Sequence, residues 1–162
     1  MKRFLPAAIV GLLLVALGIW WFSPTQVIKR RTRSFLNVLT IEESSGKPAR
    51  QMKSFSFNGM VAEEVTLKNP AIEEMNGTME RGDLESGFSY LLNHAKKSEF
   101  KVEQFQQIEI SDASARVDFV LDALVELPTY RPADGKYDVS FTWQKAKDGW
   151  RVSSIMWSEK KP

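Results

Sequence analysis

One histidine and no cysteine in 162 residues narrow the chemistry this chain can perform. Without a thiol there is no disulfide, no thiolate nucleophile, no cysteine metal site and no lipid-modified cysteine. His94 is then the sole imidazole for a Ser/His/Asp triad or a histidine metal site. It closes a helical pattern just before Lys96-Lys97, where a solvated histidine is favourably placed at the negative end of the helix dipole. The carboxylate pairs Glu63-Glu64 and Glu73-Glu74 are each adjacent in sequence. Their side chains diverge in regular structure, so they read as solvated charge and not as metal ligands. No metal and no cofactor are expected.

Another set of residues can build a binding surface. Ala115, Val117, Phe119, Leu121, Ala123, Val125 and Leu127 alternate with Arg116, Asp118, Asp122 and Glu126, and Tyr137, Val139, Phe141 and Trp143 alternate with Asp138, Ser140, Thr142 and Gln144. A period of two puts each set on its own face of a sheet. If the odd-numbered set faces inward, the interior is aliphatic and aromatic, and the acids of these strands point outward. No carboxylate pair then meets inside. Phe119, Leu121, Val139, Phe141, Trp143 and, from the last strand, Trp157 are the candidates to line a pocket, although such a stripe ordinarily just packs. Val120 falls on the opposite face, away from that interior.

These residues need elements to hold them, and the first element belongs to a membrane. Phe4 to Phe22, FLPAAIVGLLLVALGIWWF, is uncharged and as a helix would be roughly 28 Å long, about one hydrocarbon core. Lys2 and Arg3 precede it and Trp20-Trp21 close it, with indoles at an interface position. Residues 1–22 read as a transmembrane anchor, and 23–162 as one domain. The competing reading is a signal peptide cleaved after Ala16-Leu17-Gly18. Lys29, Arg30, Arg31 and Arg33 form a second basic cluster next to the lipid, so the two flanks compete over orientation. The expectation is a single-pass protein of a bacterial inner membrane, its domain outside the cytoplasm. Beyond Phe22, 20 basic residues balance 20 acidic ones, which argues against nucleic acid as a partner.

Ser23-Pro24-Thr25-Gln26 starts a helix, with Ser23 as cap and Pro24 at its first position; Ile28, Phe35, Leu36 and Leu39 share a face, and the helix is expected to reach about Glu43. Met52 and Phe55, three apart, predict a short second helix, although Phe55 and Phe57 also alternate as a strand would. Val65 and Leu67 alternate into Asn69-Pro70 as a first strand, and residues 71–82 read as connection. A helix follows Asp83, with Leu84, Phe88, Leu91, Leu92 and Ala95 on one side. Phe100, Val102, Ile108 and Ile110 alternate around a phase break near Phe105, which signals a bulge. Asp148-Gly149 marks a hairpin, and the final strand WRVSSIMW shifts phase at Ser153-Ser154. Helices, a short strand, a helix and then a meander give an α+β class, with helices on one face of a strongly curved antiparallel sheet.

That order, with MVAEEVTLKNP, a helix opening near GDLESGFSYLL and a closing DGWRVSSIMW, resembles the nuclear transport factor 2-like (SnoaL-like) superfamily over roughly residues 24–158. The resemblance implies a cone-shaped domain with a pocket between helices and sheet, in enzymes and in binding or assembly domains alike. Similar isomerases hold a catalytic aspartate immediately before a proline in the first strand. Here that position is Asn69, which cannot take a proton from carbon at neutral pH but would line the pocket. The expected function is a membrane-tethered, non-catalytic domain that binds a partner protein or an apolar small molecule, within an envelope complex or as a homodimer. The alternative is an isomerase, cyclase or hydrolase with an unorthodox site.

Overall fold

The computed structural model describes residues 5–69 and 76–160. Lys2, Arg3, Phe4, Pro70 and the pair Glu73-Glu74 lie outside that range. Helix α1 covers Leu5–Trp21 and α2 covers Pro24–Leu39. Pro24 cannot continue a helix, lacking an N–H and clashing with the preceding turn. Ser23 is accordingly extended, at φ −58° and ψ 142°. No single helix among the described residues is long and apolar enough to cross a membrane; Gly11–Trp21 and Pro24–Leu39 meet that requirement only together, bent by 57°. The expected uninterrupted span over 4–22 is thus a described helix of 17 residues.

Helix α2 buries Ile28, Thr32, Phe35 and Leu36. It ends at Leu39, short of Glu43, because Ile41 pairs with the sheet instead: its N–H donates to the carbonyl of Ser98 at 2.9 Å, and Ser98 N–H returns a bond at 3.0 Å. Helix α3, Lys47–Asn58, is rotated relative to expectation. Its buried residue is Phe57, stacked on Phe35 and Phe88 at ring separations of 5.8 and 4.6 Å, whereas Met52 and Phe55 are 71% and 82% exposed. Arg50 fixes that rotation by donating to carbonyls at the end of helix α4, Arg81–His94, among them Leu92 and Ala95. A cation suits that negative helix end.

Six strands form one sheet in the order β2-β1-β6-β5-β4-β3, with β1 Val61–Lys68, β2 Gly77–Glu80, β3 Lys97–Ile110, β4 Ser114–Glu126, β5 Ala133–Ala146 and β6 Gly149–Glu159. The sheet is mixed and not wholly antiparallel, since β1 runs parallel to β6. Strand β2 falls within residues 71–82, where the sequence predicts only connection. It is an edge strand exposed throughout, and without a buried face it leaves no apolar alternation to detect.

Register shifts at Val102/Gln104 and Phe105/Gln107 insert Glu103 and Gln106 into β3. The first moves Phe105 onto the inner face and the second restores Ile108, which accounts for the phase break. A third shift, at Ser153, lies between the pairs Thr142–Ser154 and Trp143–Val152. Bulges bend their strands, and the sheet curls around α2: Lys29 and Arg33 lie over the Phe105 ring of β3, at 5.4 and 5.0 Å, while Arg31 Nε donates to the Trp150 carbonyl of β6 at 3.1 Å.

Val120 does lie on the face away from the helices, opposite Asp138 and Gln104, but it is 1% exposed. Two polar bridges run over β4 on that face, from Gln106 to Asp138 at 3.2 Å and from Lys136 to Glu103 at 2.6 Å. Both β3 partners are the bulge residues.

Candidate functional site

Between α2 and the inner face of the sheet is a cavity of about 510 Å³. Strand β4 contributes Leu121, Ala123 and Val125; β5 contributes Ala133, Tyr137, Val139 and Phe141; β6 contributes Ile155, Trp157 and Glu159. Phe35, Leu36 and Leu39 of α2 close it with Phe100 of β3, and Leu67 and Asn69 border it from β1. The strand side chains converge because each strand presents alternate residues to one face.

Five of the seven residues expected at a pocket line it: Asn69, Leu121, Val139, Phe141 and Trp157. Phe119 and Trp143 do not. Both are fully enclosed, Phe119 against Phe141 and Phe105 at 5.0 and 6.1 Å, and Trp143 against Phe35 and Phe141 at 6.1 and 6.3 Å. One end of the inner space is therefore packed with rings, and the other is open beside the exposed Ala133 and Glu159. Phe141 belongs to both, and Phe35 touches it edge-on at 5.7 Å.

Asn69 is 5% exposed, and its N–H donates to Asn76 Oδ1 at 2.5 Å. An amide can donate and accept hydrogen bonds at the cavity wall but cannot act there as a proton acceptor from carbon. Tyr137 and Glu159, cross-strand partners, are the polar lining that sequence reasoning passed over. The signal existed, since Tyr137 shares parity with Val139 and Glu159 with Trp157. Asp118 and Asp138 lie on the outer face as expected, together with Arg116 and Ser140.

The remaining candidates lie away from the cavity. His94 is exposed, stacks on Tyr90 at 4.0 Å and places Nδ1 2.8 Å from the Tyr90 carbonyl. Glu63 and Glu64 are exposed on β1. Among the described residues no group of three or more His, Cys, Asp or Glu could hold a metal ion. The basic residues assigned to a membrane interface divide. Arg30 donates to the Trp21 carbonyl at 2.7 Å with its guanidinium 4.6 Å from the Trp21 ring, and Trp20 and Trp21 are exposed. Lys29, Arg31 and Arg33 hold α2 to the two flanks of the sheet, because Phe105 and Trp150 offer ring faces and a carbonyl within their reach. The titratable groups with shifted values also lie outside the cavity: hydrogen bonds from Lys136 and Arg151 hold Glu103 and Asp148 below the ordinary carboxylate range, and burial lowers Lys53, with Glu42 opposing it.

No protein-family model matches the sequence, and no curated protein matches it. Solved structures share its fold. A dehydratase candidate of the NTF2-like family from Streptomyces avermitilis superposes with a TM-score of 0.63 at 10% identity, over 85% of this chain and 96% of that one. An NTF2-like superfamily protein from Salmonella enterica serovar Typhimurium LT2 gives 0.62 at 13% identity, over 85% and 91%. A scytalone dehydratase candidate from Novosphingobium aromaticivorans gives 0.62 at 13% identity, over 85% and 84%. The domain has an NTF2-like α+β fold, and at these identities the likeness is one of fold alone.

Proposed function

We propose that this chain is a membrane-tethered domain that binds an apolar small molecule in its cavity without turning it over. The observation that carries the reading is a cavity of about 510 Å³ walled by aliphatic and aromatic side chains, with an amide at Asn69 where similar isomerases hold an aspartate. Such a lining, with a few polar groups to set orientation, suits a small apolar ligand. The tether rests on α1, whose Leu12, Leu13, Leu14, Val15, Leu17, Ile19, Trp20 and Trp21 are all exposed, as is Phe22 just after it. A helix apolar on every side that the domain does not cover fits lipid. Lys2 and Arg3 ahead of it favour an amino terminus inside and the domain outside the cytoplasm.

An apolar fluorescent probe should bind the full chain in detergent. Ala123→Phe, which enlarges a cavity wall opposite Phe100, should weaken that binding at least tenfold, about 1.4 kcal/mol. Undiminished binding by a variant with an unchanged circular-dichroism spectrum would remove the cavity as the binding site. Absence of binding to the natural chain would favour a protein partner instead, as in an envelope complex.

An enzymatic reading has its own support, in Glu159 and Tyr137 side by side at the rim and in neighbours described as dehydratase candidates. A carboxylate and a phenol can accept and donate a proton. Turnover abolished by Glu159→Gln or Tyr137→Phe, with probe binding retained, would establish it.

A further inference from the structure

We infer that the outer face of α2 and α3 rests on anionic lipid headgroups beside the anchor, with Met52 and Phe55 entering the membrane interface; this rests on the tether proposed above. Helix α2 meets the sheet through Ile28, Thr32, Phe35 and Leu36, and at about 100° per residue Arg30 is on the opposite side. Arg30 reaches back to the Trp21 carbonyl and ring. The side of α2 averted from the sheet is therefore the inner side of the 57° bend with α1. If α1 crosses the bilayer, that inner side looks down onto the membrane surface, and the sheet lies above it.

Helix α3 continues the same layer. Phe57 points inward against Phe35, and Met52 and Phe55 come almost directly opposite it by helical spacing. Nothing among the described residues covers them, and a Met-Phe pair this exposed on a domain with a complete core marks a contact surface. Charge identifies the contact. Between Pro24 and Asn58 the chain carries seven basic residues, Lys29, Arg30, Arg31, Arg33, Lys47, Arg50 and Lys53, against Glu42 and Glu43, whereas residues 59–162 carry thirteen basic and eighteen acidic. The basic excess of a balanced domain is gathered in α2, α3 and the loop between them, with Arg30 on the side averted from the sheet. Lys29, Arg31, Arg33 and Arg50 hold these two helices to the sheet and to α4, and a cation near an anionic surface is favourable.

The absence of cysteine makes a single introduced thiol a unique label site. The full chain is reconstituted in vesicles of phosphatidylcholine and phosphatidylglycerol containing a brominated lipid, with a fluorophore on Ser56→Cys beside Phe55, on Gln107→Cys on the outer face of the sheet, or on Leu13→Cys in α1. Quenching at 56 should exceed that at 107 severalfold, and Met52→Ser with Phe55→Ser should reduce it to the level at 107. Quenching at 13 but not at 56 would overturn this inference and leave the tether standing. Failure to quench at 13 would remove the tether, and this inference with it. Equal quenching at 56 in phosphatidylcholine alone would overturn anionic headgroups as the partner.

Discussion

Phe119 and Val120 are neighbours whose side chains leave β4 in opposite directions, and both are enclosed, at 0% and 1% exposure. Phe119 packs among rings, so Phe119→Asp would bury a charge with no partner and should cost more than about 3 kcal/mol. Val120 lies under bridges built by Glu103, Gln106, Lys136 and Asp138. Val120→Ala should therefore cost about 2 kcal/mol, while Asp122→Ala, exposed on the same face, stays within about 0.5 kcal/mol. Urea unfolding of the three variants measures this, and a neutral Val120→Ala would show that the bridges do not seal the outer face. Alternation identified the two faces of β4 correctly. It could not show that the outer one is roofed, because that roof comes from side chains on β3 and β5, one brought into place by each bulge.

At the scale of elements, the hairpin between β5 and β6 was legible from Asp148-Gly149. Its turn residues are Lys147 and Asp148, and Gly149 opens β6 opposite Ala146. Gly149 has φ +139°, and a Cβ there would sit 3.3 Å from Arg31 Nη2. Gly149→Ala should thus cost about 1 kcal/mol or more in backbone strain, and it should also disturb the Arg31 clamp on Trp150. Arg31→Ala measured alone and together with Gly149→Ala checks this, since the two effects should be less than additive if the clamp is shared. Helix α3, predicted from the spacing of Met52 and Phe55, does form, but turned by half a revolution. With two apolar residues on one side and Phe57 on the other, local pattern gives no preference. The stack of Phe57 between Phe35 and Phe88, together with the reach of Arg50 to α4, decides it.

For the whole molecule, the apolar helix α1 and the balanced domain should part company in a membrane extraction. Carbonate-washed membranes should retain the full chain. Leu13→Arg with Leu17→Arg should release it, because each arginine near the centre of a span costs about 2.5–3.5 kcal/mol. A soluble mature chain beginning at Ile19 would replace the tether by a cleaved signal. The sequence by itself determined the periods: an uncharged apolar run, an amphipathic helix after Pro24, bulged and alternating strands, and an amide at Asn69, since each follows from residues close together in the chain. Only the tertiary structure decided which rings fill the inner space and which leave it open. Phe119 and Phe141 share a parity, yet one is sealed by Phe105 and the other borders a cavity, and that difference depends on how far the bulged sheet curls around α2. The parallel pairing of β1 with β6, which brings Asn69 to the same cavity as Trp157, is likewise a contact between the first strand and the last that no local spacing encodes.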